Sequence, residues 1–308
     1  MKKSLQEQLS TLAENPIQWD CPLAPFTSFD IGGPAEALGT VESVKELGAL
    51  LQCCRDNNLN WRFIGRGTNL LVADSGFAGV VFLFGKKLSG ITIIDESEPS
   101  AIRVRVGAGC SLGKLLNWCV GKNYSGLEFV SGIPGSVGGA VVMNAGAWGG
   151  EIEAVVDSLT VFSMNSGEEI LTRKELDFRY RTWENQKVGN EKRLVVSADI
   201  CLHRGEPDDI QTTCRKYLQQ RKVKQPKIHK NAGSFFKNPP GDSAGRLIEA
   251  SGCKGKRCGG AMVSPVHANF LVNTGNATAA DVQLLMTMVV NQVQKDTKII
   301  LQPEVHFL

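Results

Sequence analysis

The sequence lacks the features that mark several special classes of protein. Its 308 residues contain no Cys-x-x-Cys pair and only four widely spaced histidines, so we expect no structural zinc or other bound metal. No apolar run is long enough to span a bilayer, and the N-terminal lysines are followed by glutamines and glutamates, unlike a signal peptide. The formal net charge of +3 is too small to indicate a nucleic-acid or membrane partner.

The cysteine content argues against a disulfide framework. The nine cysteines are odd in number, and Cys53 and Cys54 are adjacent. We therefore expect free thiols and a cytoplasmic protein. Hydrophobic residues make up 42% of the chain and charged residues 21%, an ordinary globular balance. The length is enough for two domains, and we predict a monomer.

Helical and strand patterns are mixed in two blocks, which favours the α+β class. Ser43 and Glu46 have the spacing of a capping box, and apolar residues then repeat at helical spacing. Further patterns predict helices over residues 208–222 and 281–293 and a final strand over 299–301. The composition shifts toward charge near Pro207, and the predicted limits are an extension over 1–24, one domain over 25–205 and another over 206–308.

One stretch, residues 126–151, is dense in glycine and nearly free of charge. An ordinary helix is not expected there, because each glycine costs about 1 kcal/mol relative to alanine. The run is also too apolar for a flexible linker. We interpret it as a buried loop system that binds the phosphates and flat ring of a nucleotide cofactor. The alternative is a tightly packed structural turn. The glycines concerned are Gly132, Gly135, Gly138, Gly139 and Gly146.

A second candidate phosphate site follows the short predicted strand 61–64. It reads Gly-Arg-Gly-Thr-Asn over residues 65–69. The third glycine of a dinucleotide fingerprint is missing, and no acidic residue lies at the expected distance on a second strand. These two absences argue against a Rossmann domain that binds nicotinamide.

Five polar residues have contexts that suit chemistry, and three of them also have a simpler alternative. Ser234 lies in a constrained turn without a nucleophile elbow, so its hydroxyl is either a proton donor or a turn hydrogen-bonding group. Glu304 has apolar neighbours and is either a buried acid with a raised pKa or a terminal solvent-facing group. Arg181 could clamp a carboxylate or form a surface ion pair. Lys237 and Asn238 suit an oxyanion or a diphosphate.

Eight runs, taken in order, resemble the UDP-N-acetylenolpyruvoylglucosamine reductase (MurB) family. They cover almost the whole chain: FTSFDIGGPAE, IGRGTNLLVADSGFAGVV, GLEFVSGIPGSVGGAVVMNAGAWGGE, FRYR, NAGSFFKNP, AGRLIEASGCKG, HANFLVN and LQPEV. The short interval between Asn238 and Glu304 is similar to that of the type II branch. Arg66 stands where the family usually has a small residue.

The resemblance implies a vanillyl-alcohol-oxidase-type (PCMH) FAD-binding domain of two subdomains over residues 25–205. It also implies an α+β substrate-binding domain over 206–308. On that resemblance Arg181, Ser234 and Glu304 are the catalytic residues, and Lys237 and Asn238 bind the substrate. The implied FAD-binding residues are Gly65, Arg66, Gly67, Thr68, Asn69, Gly132, Ile133, Pro134, Gly135, Ser136, Gly138, Gly139, Asn144, Ala145 and Gly146.

The implied reaction reduces an enolpyruvyl ether on a UDP-sugar, with NADPH as the reductant of FAD. Flavin N5 delivers hydride to the β-carbon, and Ser234 delivers a proton to the α-carbon. Arg181 and a protonated Glu304 stabilise the charge that develops between these steps. Two alternatives stay open at this point. One is another flavin oxidase of the same superfamily, and the other is a non-catalytic nucleotide sensor.

Overall fold

The computed structural model describes residues 1–98, 100–188, 191–226 and 230–308, with only the backbone of Val188. The chain forms two compact units. The first comprises residues 1–19, 37–66 and 79–219, and the second comprises residues 20–36, 67–78 and 220–308. The predicted domain limits are contiguous in sequence, whereas each compact unit is assembled from three segments. The predicted division into an FAD-binding domain and a substrate-binding domain stays a prediction.

Seven α-helices lie within the described residues. They are α1 (Lys3–Leu12), α2 (Val44–Asp56), α3 (Leu112–Gly121), α4 (Val137–Val142), α5 (Pro207–Lys224), α6 (Ala244–Ala250) and α7 (Ala279–Thr297).

The strands of the described segments are mostly short. They are β1 (Gln18–Pro22), β2 (Pro34–Val41), β3 (Trp61–Phe63), β4 (Leu70–Leu71), β5 (Phe77–Phe84), β6 (Ile91–Asp95), β7 (Ala101–Gly107), β8 (Tyr124–Ser125), β9 (Gly146–Ala147), β10 (Gly150–Glu151), β11 (Val156–Ser163), β12 (Gly167–Thr172), β13 (Phe178–Arg179), β14 (Thr182–Trp183), β15 (Lys187–Val188), β16 (Glu191–Lys192), β17 (Leu194–Arg204), β18 (Lys230–Asn231), β19 (Arg257–Cys258), β20 (Ala261–Val263), β21 (Leu271–Asn273) and β22 (His306–Phe307).

The larger sheet of the first unit has the order β12-β11-β17-β7-β6, and β8 pairs with one end of β17. All of its neighbouring strands are antiparallel. Residues of β7 alternate between buried and exposed, as the sequence pattern predicts for a half-buried strand. Apolar residues of α3 and α4 share one core with this sheet, including Leu115, Val141 and Leu159. This sheet therefore provides a rigid support for the glycine-rich stretch.

A second core of the first unit lies around α1 and α2. It contains Leu9, Leu47 and Phe82, all fully buried. The sheet β1-β2-β5-β3 contributes to this core, and β3 runs parallel to β5. Helix α2 begins as the sequence predicts, because the Ser43 hydroxyl accepts from the Glu46 N–H at 3.2 Å.

The second unit has the antiparallel sheet β18-β21-β20-β19, and β22 pairs with β4 in parallel. Apolar residues of α6 and α7 share its core with Phe235 and Leu271. Helix α7 starts earlier than predicted because Thr278 and Asp281 form a capping box. The Asp74 carboxylate also accepts from the N–H groups of Ala279 and Ala280.

Three local predictions are wrong, each for a physical reason. Residues 126–151 do contain a helix, α4, because Ser136 caps it and Gly138 packs where a Cβ would meet the Ala108 Cβ at 2.9 Å. Residues 299–301 are not a strand, because the final strand that pairs with β4 is β22, further along the chain. The capping box at Ser43 is incomplete, because the Glu46 carboxylate accepts instead from the N–H groups of Glu14 and Glu42.

All nine cysteines are thiols in the structure. Burial raises the pKa of Cys54 and of Cys119 to about 12, so both stay protonated at neutral pH. None of the helices in the described segments has both the length and the apolar character for crossing a membrane. Residues that could ligate a metal ion do not gather in groups of three or more in the part of the chain described.

Candidate functional site

The two predicted glycine turns of the first unit approach each other closely. A Cβ on Gly65 would collide with the Ser136 hydroxyl, so only glycine permits this approach. Ser136 is buried, while Gly65 and Gly132 are exposed. The turn after β3 and the start of α4 therefore form one surface of backbone.

Several N–H groups on this surface are available to a ligand. On this surface, the N–H groups of five residues donate no hydrogen bond to another described residue: Gly65, Arg66, Gly132, Gly135 and Ser136. In contrast, the Gly138 N–H donates to the Ala108 carbonyl at 2.9 Å, and the Gly139 N–H donates to the Ser136 hydroxyl at 3.3 Å. Gly138 and Gly139 therefore shape the turn, and the five other amides suit the oxygens of a diphosphate.

The remaining predicted cofactor residues of this stretch have structural contacts. Ile133 packs against the core of the larger sheet, and Pro134 is exposed. Ala145 donates its N–H to Ala140 and accepts from Ile152. The Asn144 side chain is fully buried, and its amide contacts Glu151, Glu153 and the Arg179 carbonyl. Asn144 thus acts as an anchor inside the unit.

Arg181 lies at the tip of the hairpin formed by β13 and β14. The strand register leaves Tyr180 and Arg181 as a two-residue connection, and Arg181 has φ of +59°. A non-glycine residue with that φ is strained, which is a feature of functional sites. Its guanidinium donates to the Gly146 carbonyl at 3.4 Å and lies 3.7 Å from a Glu151 carboxylate oxygen. It also lies 4.8 Å from the centre of the Tyr180 ring.

The other half of the first glycine turn belongs to the second unit. Gly67 has φ of +61°, and a Cβ there would collide with the Phe26 carbonyl. Its own carbonyl accepts from the Ser28 N–H at 3.0 Å. Thr68 is partly buried. The Asn69 amide donates to the Glu304 carbonyl at 3.0 Å, so this turn supports the segment that carries Glu304.

Ser234 lies in an extended segment that is bound on two sides. The next residue, Phe235, donates its N–H to the Asn269 carbonyl at 2.7 Å and accepts from the Glu304 N–H at 2.8 Å. The Asn269 side-chain oxygen accepts from the Phe236 N–H at 2.9 Å, and the side-chain nitrogen donates to the Phe236 carbonyl at 2.8 Å. The Ser234 hydroxyl itself makes no hydrogen bond to a described residue. Neither role considered for this hydroxyl, proton donor or turn hydrogen-bonding group, is tested by this observation.

Glu304 is brought next to the Ser234 segment by backbone pairing. The N–H of Glu304 bonds Phe235, and Phe236 and Pro303 form an isolated antiparallel bridge. Glu304 is partly buried, between the two environments that the sequence left open. Ser234 and Glu304, seventy residues apart in sequence, thus become neighbours in one unit.

The predicted substrate residues continue the same segment. Lys237 donates its N–H to the Gln302 carbonyl at 2.9 Å, and its side chain is partly buried. Asn238 is exposed, and its side-chain oxygen accepts from the Ala244 N–H at 3.0 Å, at the start of α6. The structure therefore gathers Ser234, Lys237, Asn238 and Glu304 in the second unit. Arg181 belongs to the first unit.

Two residues with roles at these sites were missed by sequence reasoning. Glu151, which contacts the Arg181 guanidinium, is the charged residue that closes the glycine-rich run, and this position was a usable signal. Asn269, which holds the Phe236 backbone, lies in the HANFLVN run. Nothing in the sequence distinguishes it from an ordinary polar residue at the start of a strand.

Comparison with known proteins identifies the two parts of the chain. Residues 35–172 match the family description of an FAD-binding domain, and residues 225–308 match the C-terminal domain of UDP-N-acetylenolpyruvoylglucosamine reductase. The first match contains both glycine turns, and the five available amides fit the diphosphate of FAD. The predictions of FAD and of the α+β fold class are confirmed.

Relatives and a solved structure extend this similarity over the full length. The UDP-N-acetylenolpyruvoylglucosamine reductase of Syntrophus aciditrophicus is 41% identical over 99% of this chain and 96% of its own length. That of Lachnoclostridium phytofermentans is 39% identical with the same coverage. The crystal structure of the Thermus caldophilus reductase superposes with a TM-score of 0.77 and 35% identity, covering 95% of this chain and 98% of that one. The chain belongs to the UDP-N-acetylenolpyruvoylglucosamine reductase family.

Proposed function

We propose that the protein reduces the enolpyruvyl ether of UDP-N-acetylenolpyruvoylglucosamine to the lactyl ether of UDP-N-acetylmuramate, a precursor of peptidoglycan, using NADPH. The family membership and the FAD-binding domain support this proposal. FAD, when bound, supplies the hydride for the β-carbon of the substrate. The monomeric state and the cytoplasmic location stay predictions.

One observation carries the proposal, namely the pairing of the Ser234 segment with Glu304. The Glu304 N–H donates to the carbonyl of Phe235, the residue after Ser234, so the segments of the two residues are paired on backbone that is held from both sides. Glu304 is partly buried, and the Ser234 hydroxyl makes no hydrogen bond to another described residue. A purely structural turn has no need to keep its hydroxyl unbonded. A proton donor does, because its hydroxyl must be open to the substrate.

The chain's own residues divide the remaining work. Addition of hydride to the β-carbon leaves negative charge on the α-carbon and the neighbouring carboxylate. Arg181, and Glu304 in its protonated form, are proposed to stabilise that charge. The Ser234 O–H is proposed to give its proton to the α-carbon. Because a serine hydroxyl is a weak acid, it needs a neighbouring charge or a water molecule to replace that proton.

Binding is proposed to use backbone in one place and side chains in another. The available amides of the glycine turns suit the FAD diphosphate. Lys237 and Asn238 are proposed to contact the UDP-sugar, since an ammonium and an amide both suit phosphate and carboxylate oxygens.

The test separates the two half-reactions in an anaerobic stopped-flow instrument. NADPH should bleach the flavin absorbance of the purified holoenzyme, and UDP-N-acetylenolpyruvoylglucosamine should restore it. In Ser234→Ala, bleaching by NADPH should keep its wild-type rate, while recovery should slow at least about 100-fold, as for loss of a general acid. Equal slowing of both steps would show that Ser234 is not the proton donor.

The wild-type protein tests the activity itself. If reduced flavin is not reoxidised by the enolpyruvyl substrate, but recovers with oxygen after reduction by an alcohol, the protein is an oxidase. If FAD binds tightly and NADPH does not bleach it, the protein is a nucleotide sensor. Either result contradicts the proposed reductase activity.

A further inference from the structure

We propose that Glu151 is a positioning residue for Arg181, and that the buried amide of Asn144 holds Glu151 in place. The inference rests on the proposed function of Arg181, and it assigns to Glu151 a role in orienting the guanidinium. All residues of this arrangement belong to the first unit.

The Glu151 carboxylate connects the two other residues. One oxygen lies 3.7 Å from Nη1 of Arg181, and the other accepts from the Asn144 amide at 3.0 Å. The backbone of Glu151 is also fixed, because β10 pairs with β9 so that Glu151 lies opposite Gly146. Gly146 in turn accepts from Nη2 of Arg181. The guanidinium therefore contacts a side chain and a carbonyl from the same short strand pair.

Asn144 is suited to act as the fixed point. Its side chain is fully buried, and its φ of +39° is tolerated by asparagine better than by most residues. Its amide oxygen accepts from the Glu153 N–H at 3.1 Å, and its nitrogen also donates to the Arg179 carbonyl at 3.2 Å. It thus ties the loop that carries Glu151 to the hairpin that carries Arg181.

Arg181 needs such support because of where it lies. The residue is at the tip of a two-residue connection, and the long arginine side chain has several rotamers of similar energy. A group that stabilises charge in a transition state must be oriented before the charge develops. An ion pair with 19% exposure on the arginine side and 36% on the glutamate side is weak for stability but adequate for orientation.

The experiment removes the charge of Glu151 and keeps its shape. In Glu151→Gln, flavin reduction by NADPH should stay within about twofold of wild type. Flavin reoxidation by UDP-N-acetylenolpyruvoylglucosamine should slow about tenfold, because a small misplacement of a catalytic group carries such a cost. Glu153→Gln is the matched control. The Glu153 carboxylate lies 3.4 Å from the same Asn144 nitrogen and forms no ion pair with a described residue, so reoxidation should stay at the wild-type rate.

A double-mutant cycle distinguishes orientation of Arg181 from general support of the loop. If Glu151 acts through Arg181, the Glu151→Gln effect should disappear in an Arg181→Ala background. Titration of the oxidised flavin spectrum with substrate gives the substrate affinity of the wild type, the two single variants and the double variant without turnover. Any effect of Glu151→Gln on this affinity should also disappear in the Arg181→Ala background.

Three outcomes overturn the inference. They are a wild-type rate for Glu151→Gln, equal slowing of both half-reactions, or a full Glu151→Gln effect that persists without the Arg181 side chain. Failure of the proposed function is a different result, because then the wild-type flavin is not reoxidised by the enolpyruvyl substrate at all.

Discussion

The segments that carry Arg181 and Ser234 are held in place in opposite ways. Arg181 lies at a hairpin tip with a left-handed backbone, and its side chain contacts Glu151 and the Gly146 carbonyl. Ser234 lies in an extended segment whose backbone is bonded on one side by Asn269 and on the other by Glu304. The first segment is held through a charged side chain, and the second through its main chain.

The difference follows from what each group is proposed to do. A guanidinium at the end of a long side chain is not oriented by fixing its backbone alone, so it needs partners at its tip. A serine hydroxyl is two bonds from the main chain, and a fixed backbone leaves it only three rotamers. Loss of a single contact should therefore affect chemistry in the Arg181 segment and folding in the Ser234 segment.

The largest effect on stability is expected from Asn269→Ala. The substitution leaves both the N–H and the carbonyl of Phe236 buried without their bonds, and each such group costs about 1–3 kcal/mol. We expect a loss of about 3 kcal/mol in the free energy of unfolding, measured with urea. Asn291→Ala, on the exposed face of α7, is the control and should change stability by less than about 0.5 kcal/mol. An Asn269→Ala protein of wild-type stability would contradict the comparison.

A smaller effect is expected from Gly65→Ala, which tests backbone placement in the first unit. The added Cβ collides with the Ser136 hydroxyl, so either this hydroxyl rotates and no longer caps α4, or one of the two turns moves. FAD affinity should fall about tenfold, or about 1.4 kcal/mol, measured by retention of flavin on dilution. Gly113→Ala in α3 has open space around its Cβ and should keep wild-type affinity. If adding Ser136→Ala to Gly65→Ala recovers no affinity, the collision is not the cause.

The smallest effect on stability is expected between two substitutions of Arg181. Arg181→Gly removes the strain of φ +59°, whereas Arg181→Ala keeps a Cβ in that conformation. The free energy of unfolding, measured with urea, should be about 1 kcal/mol higher for the glycine variant than for the alanine variant. Both should be severely slowed in flavin reoxidation by substrate. Equal stability of the two variants would show that the hairpin carries no strain at this residue.

Much of the local structure was predictable from the sequence. The Ser43 cap and the apolar spacing after it predict α2, and the alternation over residues 102–106 predicts β7. The glycine turns indicated a nucleotide cofactor because glycine-rich backbone in an apolar context can approach phosphates and a flat ring closely. The resemblance then identified FAD and the three catalytic candidates by motif. These predictions depend on neighbours in the chain or on short motifs, which a sequence shows directly.

Other features depended on contacts that no local pattern reveals. The helix α4 forms despite the low helix propensity of its glycines. Its Gly138 packs closely against Ala108, about thirty residues earlier in the chain, where a larger residue has no room. The N–H groups of Gly138 and Gly139 donate within the fold, to the Ala108 carbonyl and the Ser136 hydroxyl, which the spacing did not reveal. The role of Asn269 depends on hydrogen bonds across 33 residues.

The sequence by itself determined the family, the cofactor and the residue types available for catalysis, because these are written in contiguous motifs. Only the tertiary structure decided which amides remain open to a ligand, which segments bring Ser234 and Glu304 together, and which carboxylate lies beside Arg181. The physical reason is that a hydrogen bond or an ion pair depends on distance in space. Residues such as Ser234 and Glu304 acquire that proximity only when distant segments pair.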